Sequence, residues 1–434
     1  MPTVAYHTLG CKVNQYDTQA MEELLTAAGF CTVPFPGQSD IYLINTCTVT
    51  GTGDKKSLQL ARKLKREYPE CTLILCGCLA QLKGEALLSV GADLVIGTQY
   101  RGQIVQLLNQ VLESGKPLCA VDPLPESMAY ERLHITNCQD HTRAVLKIQE
   151  GCRNHCTYCV IPSVRGPVRS RPLEDIAAES ARLAAAGFCE IVLTGIHLSS
   201  YGKDFTPRRS LIDVLDILEK EEGILRIRLG SLEPGIVTEH FVSSLARLGK
   251  ICPQFHLALQ SGSDSVLRRM RRQYQISGYL KAVDHLRTVF PDAAFTTDVL
   301  TGFPGETEKE FAETCEIIRR VGFARIHVFP YSPRPGTPAA DMPGQLSETV
   351  KQARARKLIE LGKEVALCYH RQWIGRETVL LPEEQVSGCW EGYSPEYLRI
   401  RLNPEAVCVS GRPVRVRIQS VSPRTLGGVM IESL

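Results

Sequence analysis

The sequence lacks any long uninterrupted apolar run, and its positive and negative charges nearly balance. No stretch is long enough to span a bilayer, and the first residues do not show a charged region followed by an apolar one. We therefore expect no membrane segment and no secretory signal. The formal net charge of +3 and the pI of about 8.1 fall short of the basic surplus that marks dedicated nucleic-acid-binding domains. Composition thus neither requires nor excludes a nucleic-acid partner.

Cysteine, by contrast, is abundant. The chain has 17 cysteines in 434 residues, and a chain this long without a secretory signal is not a disulfide scaffold, because such scaffolds are short secreted proteins. We expect a cytoplasmic, reducing location, where thiolate-bound clusters survive. The length predicts two or three domains.

A cysteine motif lies near the middle of the chain, where Cys152, Cys156 and Cys159 are separated by three and then two residues directly after an apolar run. Thiolates this close can bind one inorganic centre. Three ligands leave the fourth corner of a cubane cluster open, so that one iron can bind a substrate or cofactor. A zinc knuckle or buried thiols are the alternatives. The spacing, with Tyr158 before the last cysteine, resembles that of the radical S-adenosylmethionine (SAM) superfamily.

The first part of the chain, residues 1–115, alternates short apolar strands with helices. Predicted strands at 3–8, 41–44, 72–75 and 94–97 are typical of a parallel α/β unit. In such sheets the carboxyl ends of the strands form the binding crevice.

Cysteines follow three of these strands. Cys11, Cys47 and Cys78 are expected to meet at one point, which predicts a second metal site. Cys76 competes for the third position, but it continues the strand alternation, whereas Gly77 frees the backbone to turn Cys78 towards the crevice. The alternative for this trio is a set of buried apolar thiols.

Residues 115–141 carry several prolines and are predicted to form a linker. The next domain, residues 138–371, alternates six predicted strands (145–149, 191–194, 226–230, 256–259, 295–300 and 325–329) with helices. This pattern favours a partial TIM-like (β/α)6 barrel, with function in the loops after the strands.

Those loops contain glycines and polar residues that suit an amino acid or a ribose, although each loop alone is most often a plain turn. His197 lies in one of them, and we assign it no role. The expected cofactor contacts are Tyr158, Gly195, Glu233, Gln260, Ser261 and Asp298.

The tail, residues 372–434, consists of short β-rich pieces between glycines and prolines, which indicates a small β-barrel. Basic strands with nearby tyrosines suit a nucleic-acid backbone and its bases, although an ordinary solvated face has the same pattern. The candidate RNA-binding residues are Arg399, Arg401, Arg415 and Arg417.

The combination of motifs resembles the methylthiotransferase family over nearly the whole chain, and the tail is similar to the TRAM RNA-binding domain. The Cys11 segment, followed by Gln15-Tyr16-Asp17, looks most like the branch that acts on threonylcarbamoyladenosine beside the tRNA anticodon. The motifs that carry the resemblance are Thr8-Leu9-Gly10-Cys11-Lys12-Val13-Asn14, Asn45-Thr46-Cys47-Thr48-Val49-Thr50, Gly77-Cys78-Leu79-Ala80-Gln81, the central cysteines, the loop 260–264 and Gly302-Phe303-Pro304-Gly305-Glu306.

This resemblance implies two 4Fe-4S clusters, one on Cys152, Cys156 and Cys159 and one on Cys11, Cys47 and Cys78. It also implies two SAM molecules per turnover, one as methyl donor and one as the source of a 5′-deoxyadenosyl radical that abstracts hydrogen from carbon 2 of the adenosine. No side chain is expected to be catalytic, since the cofactors carry the chemistry.

The expected partners are a tRNA anticodon stem-loop, an electron donor of the flavodoxin or ferredoxin type, and a sulfur donor. The alternatives are action on isopentenyladenosine in tRNA, action on an aspartate of a small-subunit ribosomal protein, and an iron–sulfur RNA-binding protein without catalysis.

Overall fold

The computed structural model describes residues 1–136 and 142–434, and its first part is a six-stranded parallel sheet. The strand order is β2-β1-β3-β4-β5-β6, and each neighbouring pair is parallel. This confirms the predicted α/β unit and adds strands β2 and β6. The strands are β1 (Thr3–Thr8), β2 (Cys31–Val33), β3 (Ile41–Thr46), β4 (Thr72–Gly77), β5 (Leu94–Ile96) and β6 (Leu118–Ala120). The helices are α1 (Lys12–Ala27), α2 (Gly51–Glu67), α3 (Cys78–Lys83) and α4 (Ile104–Ser114).

Helices cover both faces of this sheet. All six residues of β3 are buried, as expected for a strand covered on both sides. Ile41 and Leu43 belong to the apolar cluster that includes residues of α1 and α4, while Tyr42 and Ile44 belong to the cluster on the other face. The alternate residues of one apolar run thus supply two cores.

The segment predicted as a linker is partly folded. Strand β6 pairs with β5, and Leu133 and Ile135 are buried in the core of the central unit. The expectation of a linker is therefore wrong for these residues. The predicted domain start at residue 138 lies outside the described residues.

The central unit has six parallel strands in the order β7-β9-β10-β11-β12-β13, close to the predicted positions. The fourth strand, predicted at 256–259, lies earlier, at Gln254–His256. Single parallel bridges, Ile227 to Ile251 and Leu232 to Leu257, join its two halves into one open wall. This confirms the partial barrel. The strands are β7 (Ala144–Glu150), β8 (Arg169–Ser170, a short antiparallel addition), β9 (Glu190–Gly195), β10 (Arg226–Leu229), β11 (Gln254–His256), β12 (Ala294–Thr301) and β13 (Arg325–Pro330). The helices are α5 (Ile161–Arg165), α6 (Leu173–Ala185), α7 (Leu211–Glu219), α8 (Glu239–Leu245), α9 (Asp264–Arg269), α10 (Ile276–Val289), α11 (Glu308–Val321) and α12 (Glu348–Arg371).

The tail is a closed five-stranded barrel, as predicted, in the order β14-β15-β16-β18-β17. It packs against the central unit, where Arg226 and Arg228 of β10 donate hydrogen bonds to the carbonyl oxygens of Tyr393 and Ser394 over 3.2 and 3.0 Å. Within the described part of the chain, no helix is long and apolar enough to cross a membrane. The strands are β14 (Glu377–Val386), β15 (Cys389–Tyr393), β16 (Arg399–Leu402), β17 (Val414–Val421) and β18 (Leu426–Ser433).

Candidate functional site

The first cysteine trio lies at one edge of the N-terminal sheet. Cys11 lies in the turn between β1 and α1, Cys47 directly follows β3, and Cys78 begins α3 directly after β4. These three strands are neighbours in the sheet, so their carboxyl ends share an edge. The two turns are in contact, because a Cβ built on Gly10 would lie 3.0 Å from the sulfur of Cys47. The structure therefore brings the predicted trio together.

Gly77, the last residue of β4, separates the two candidate cysteines, Cys76 and Cys78. Its φ is +91°, and a Cβ there would lie 2.3 Å from Oδ1 of Asn45, so only glycine fits. Cys76 is fully buried in the sheet core, where its Sγ lies 3.7 Å from the carbonyl oxygen of Ile44. Cys76 thus lies in the core, as the alternation predicts, and Cys78 lies beyond the turn.

Two asparagines beside the cysteines hold the turns together. The side-chain amide of Asn14 donates to the carbonyl oxygens of Leu9 and Thr46 over 2.8 and 3.0 Å. The amide of Asn45 donates to the carbonyl oxygen of Asn14 over 2.9 Å. Neither asparagine was predicted to have a role, although each lies within three residues of a cysteine.

The electrostatics of this trio suit a cationic centre. Burial raises the pKa of the Cys47 thiol to about 11, and the neighbouring sulfurs of Cys78 and Cys11 add to the rise. Burial also raises the pKa of Cys78, against the opposing effect of the Arg165 guanidinium. Thiolates bind metals only when deprotonated, and iron ions supply the positive charge that stabilises them. The donor set therefore fits an iron–sulfur cluster.

The second trio lies in the loop after β7. The loop leaves the strand at Gly151, whose φ is +73° and where a Cβ would lie 1.8 Å from the carbonyl oxygen of Pro167. The amide of Cys152 donates to the carbonyl oxygen of Gly166, and the amide of Cys159 to that of Cys156, both over 3.0 Å. These contacts place the three cysteines within one compact loop.

Arg272 reaches this loop from the residues after α9. Its Nη1 donates to the sulfur of Cys156 over 3.1 Å, and its Nη2 pairs with the carboxylate of Glu233. Burial raises the pKa of the Cys159 thiol to about 12, with added contributions from the sulfurs of Cys156 and Cys152. Sequence reasoning missed Arg272, because nothing in the local pattern links it to a cysteine more than a hundred residues earlier.

In the described ranges 1–136 and 142–434, no three His, Cys, Asp or Glu side chains are arranged to hold a single metal ion. A 4Fe-4S cluster binds each thiolate at a different iron, so its ligands surround a volume.

Some of the predicted cofactor residues lie near the second trio. Tyr158 is inside the cysteine loop and packs against the apolar cluster that contains Met270 and Phe303. Glu233 is linked to Cys156 through Arg272, and it also lies 3.7 Å from Nε2 of His197. His197 in turn lies 3.2 Å from the side-chain amide of Asn154, within the cysteine loop. His197, to which we assigned no role, therefore lies beside the cysteine loop.

The other predicted cofactor residues lie at strand ends of the barrel. Gly195 ends β9, where a Cβ would lie 2.9 Å from Cβ of Gln149. The backbone amide of Gln260 donates to the carbonyl oxygen of Asp298 over 2.9 Å, which brings these two together. Ser261 is fully buried, and its hydroxyl lies 3.3 Å from that of Thr314 on α11.

The four candidate RNA-binding arginines are half-exposed and ion-paired. Arg399 and Arg401 both pair with Glu391, whose side chain is only 3% exposed. Arg415 and Arg417 pair with the half-exposed carboxylates of Glu432 and Glu377 at 3.1 and 2.7 Å. The two pairs of arginines therefore differ in how freely they can bind another anion.

The two trios lie on elements that contact each other. Cys78 packs in one buried cluster with Val160 and Val164, and Val160 directly follows Cys159. Arg165, at the end of α5, donates to the sulfur of Cys78 over 3.2 Å. The N-terminal and central units thus meet where their cysteines lie.

Comparison with known proteins matches the chain to two family models. Residues 146–318 match the radical SAM superfamily, and residues 3–97 match a family described as uncharacterized protein family UPF0004. Among solved structures, the chain is similar to the radical S-adenosylmethionine methyltransferase TsrM from Kitasatospora setae, with a TM-score of 0.58 and 13% identity over 78% of this chain and 77% of that chain. That likeness shows the fold alone.

Curated relatives match almost the entire chain. It is 40% identical over 424 residues to the threonylcarbamoyladenosine tRNA methylthiotransferase MtaB of Bacillus subtilis, covering 96% of this chain and 94% of that protein. It is 38% identical to the MtaB protein of Thermotoga maritima, covering 97% of this chain and 95% of that protein. The chain therefore belongs to the MtaB branch of the radical SAM methylthiotransferases, enzymes that use a 4Fe-4S cluster and SAM.

Proposed function

We propose that this enzyme is a tRNA methylthiotransferase that converts N6-threonylcarbamoyladenosine beside the anticodon into its 2-methylthio derivative. The observation that carries the proposal is the contact between the elements that carry the two cysteine trios, where Cys78 packs in one buried cluster with Val160. A reaction that both removes hydrogen from a carbon and attaches sulfur to it needs two centres beside one substrate. The named activity of the relatives that match nearly the full chain supplies the substrate.

The proposed ligands divide between the two units. Cys152, Cys156 and Cys159 would hold the cluster that binds SAM, and Cys11, Cys47 and Cys78 would hold a second cluster. Bound there, these groups supply one-electron cleavage of SAM and delivery of a methylated sulfur, with two SAM molecules consumed per turnover. The protein has no catalytic side chain in this proposal.

The chain's own residues orient the cofactors and keep water out. Cys78 and Cys156 are both buried, and each accepts a hydrogen bond from a guanidinium, which fixes the position of the sulfur. Polar groups at the strand ends of the barrel would hold the amino acid and ribose parts of SAM. The residues proposed for that contact are Tyr158, Gly195, Glu233, Gln260, Ser261 and Asp298.

The domain assignment follows the same division. Residues 1–115 would carry the second cluster, residues 138–371 the radical SAM centre, and residues 372–434 the RNA-binding barrel. Arg399, Arg401, Arg415 and Arg417 would contact phosphates of the anticodon stem-loop, where a loop base can be presented without unpairing. A flavodoxin- or ferredoxin-type electron donor and a separate sulfur donor complete the proposed reaction, which we place in the cytoplasm.

Anoxic reconstitution tests this proposal. The protein is loaded with iron and sulfide, then given SAM, a reductant and an anticodon stem-loop that bears threonylcarbamoyladenosine. A matched stem-loop bearing isopentenyladenosine and a small-subunit ribosomal protein serve as competing substrates. We expect 5′-deoxyadenosine and a 2-methylthio nucleoside from the first RNA only, measured by mass spectrometry.

Other outcomes would contradict the proposal in different ways. Modification of the isopentenyladenosine RNA alone, or of the ribosomal protein alone, would show that this molecule is the substrate instead. Absence of 5′-deoxyadenosine with every substrate, in protein that contains both clusters, would indicate an iron–sulfur RNA-binding protein without catalysis.

A further inference from the structure

Arg165 lies at the junction of the two cysteine trios and is completely buried. Its Nε donates to the sulfur of Cys78 over 3.2 Å. Its Nη1 pairs with the carboxylates of Asp17 and Glu150 at 3.0 and 2.5 Å, and its Nη2 donates to Oδ1 of Asn14. Every branch of the guanidinium is therefore held by a partner of fixed position.

The partners of Arg165 come from both units. Asn14, Asp17 and Cys78 belong to the N-terminal unit, whereas Glu150 ends β7 two residues before Cys152. Arg165 itself ends α5, shortly after Cys159. One side chain thus contacts a ligand of the first trio and the strand end that leads into the second.

The surrounding charges leave a positive excess. Arg165 belongs to a single ion-pair network of four cations and three carboxylates within the described residues. Two of those carboxylates are at most 1% exposed at the side chain. Because isolated buried charge is costly, this excess favours an anionic group beside Arg165. The members are Arg101, Lys147, Arg165, Arg169, Asp17, Glu131 and Glu150.

We propose that Arg165 is a positioning residue that holds the Cys78 thiolate against the radical SAM loop and raises the reduction potential of the cluster bound by Cys11, Cys47 and Cys78. This inference rests on the proposed function, because it assumes that this trio holds a cluster. A positive charge and a hydrogen bond at a ligand sulfur favour the reduced cluster, which carries one more negative charge. The same contact fixes the first trio relative to the second.

Arg101 provides a matched control. It is as buried as Arg165 and pairs with the same two carboxylates, Asp17 and Glu150, but among the described residues it makes no hydrogen bond to a cysteine sulfur. Loss of either arginine should disturb the ion-pair network. Only loss of Arg165 should act on the cluster directly.

The experiment uses the full-length protein with Cys156→Ala, so that the signal of the remaining cluster is observed alone. Arg165→Gln, Arg165→Lys and Arg101→Gln are introduced into it, and each protein is reconstituted without air. Iron per chain and the midpoint potential, followed by electron paramagnetic resonance, are measured. We expect Arg165→Gln to shift the potential to more negative values and to lower iron occupancy, Arg165→Lys to restore most of both, and Arg101→Gln to keep the parent potential.

Three results would overturn the inference. An Arg165→Gln protein with parent iron content and parent potential would show that the contact has no effect on the cluster. Equal changes in the Arg101→Gln protein would assign the effect to the ion-pair network as a whole. If the Cys156→Ala parent binds no cluster at all, the proposed second cluster fails, and that failure is visible before any arginine is changed. Circular dichroism of each apoprotein identifies a variant that does not fold. If Arg165→Gln does not fold, the iron content and potential of the Arg165→Lys protein test the inference instead.

Discussion

Arg272 donates a hydrogen bond to the sulfur of Cys156 over 3.1 Å while pairing with the carboxylate of Glu233. The arrangement parallels that of Arg165 with Cys78, so in each trio one cysteine accepts a hydrogen bond from a buried arginine. Because the side chain of Arg272 is only 5% exposed, its charge acts through a low dielectric. Arg272 therefore links a polar loop of the barrel to the predicted cluster.

Replacing Arg272 should weaken the radical SAM centre. A hydrogen bond to a charged group contributes about 1.5–3 kcal/mol, so Arg272→Gln should lower the rate of reductive SAM cleavage by roughly ten- to a hundredfold, since 1.4 kcal/mol is tenfold. Arg272→Lys keeps the charge and should lose less. The measurement is 5′-deoxyadenosine formed per minute per cluster, with iron content measured beside it. Equal rates in the Gln variant and the parent would refute a role for this contact.

Substitutions in the two trios should affect different reactions. Cys78→Ala should abolish sulfur insertion but retain SAM cleavage, because the radical SAM trio is intact. Cys156→Ala should abolish both reactions. Cys76→Ala is the matched control, because Cys76 is buried in the sheet core two residues from Cys78, and it should retain both reactions. Equal loss of SAM cleavage in the Cys78 and Cys156 variants would mean that the roles are divided wrongly.

Gly77 should be required for the first trio. A Cβ at this position would meet Oδ1 of Asn45 at 2.3 Å and the carbonyl oxygen of Thr46 at 2.7 Å, in addition to the strain of a φ of +91°. Strain and overpacking together cost about 3–5 kcal/mol, so Gly77→Ala should displace Cys78 and lower iron binding to about half of the parent amount. Gly29→Ala is the control, because its φ is +94° and, among the described residues beyond its two chain neighbours, no atom lies within 4 Å of an added Cβ. If the two variants bind iron equally, the clash at Gly77 has no consequence for the trio.

The regular elements of the central unit were predictable because their patterns are local. Helix α11 spans Glu308–Val321, because Thr307 and Glu310 form a capping box at its start and Gly322 follows its end in a left-handed conformation. The strands β2 and β6 were not predicted. Each has three residues and lies at a sheet edge, so neither contains enough of an apolar run to be recognised.

The site was predictable only in part, because the sequence shows local patterns but not contacts between distant segments. Cysteine spacing and position after a strand are visible in the sequence, and the structure places each trio together. The arginines were not found, because Arg165 and Arg272 meet their sulfurs only after distant segments pack. The direction of a loop side chain was not predictable either. Ser261 lies in a loop that follows a barrel strand, as predicted, but its hydroxyl contacts Thr314 of α11. Side-chain direction in a loop has no local sequence signature.

RNA binding should depend on Arg415 and Arg417. Their carboxylate partners are 48% and 41% exposed and can be solvated when the arginines turn to phosphate. The double change to Gln should weaken anticodon stem-loop binding and lower the slope of log affinity against log salt by roughly 1.5, at about 0.7–0.9 per lost phosphate contact. Arg319→Gln with Arg320→Gln, on the exposed face of α11, makes the same charge change and should leave the slope unaltered. An unchanged slope in the Arg415 and Arg417 double variant would show that these arginines do not contact the RNA.

Arg399 and Arg401 need a different test, because they share Glu391, whose side chain is 3% exposed. Removing both would leave a buried carboxylate without a cation. We expect that double Gln variant to lower the thermal unfolding midpoint, and an added Glu391→Gln change to restore it. A normal midpoint in the double variant would show that the pairing does not stabilise the barrel.

Glu310 should make stability depend on pH in the acid range. Although burial opposes the charge, hydrogen bonds and ion pairs from Arg269, Ser265 and the Thr307 amide lower the pKa of this carboxyl from 4.5 to about 2. A lowered pKa in the folded protein stabilises it by about 2–3 kcal/mol at neutral pH, and that contribution is lost as pH falls from 4.5 towards 2. Glu310→Gln should therefore lower the urea midpoint of the apoprotein at pH 7, and the gap to the parent should narrow at pH 3. Glu316→Gln, on an exposed position of the same helix, should show no gap at either pH. If Glu310→Gln lowers the urea midpoint as much at pH 3 as at pH 7, the glutamine side chain destabilises the protein through packing. The charge of Glu310 would then have no part in holding α11 against the barrel.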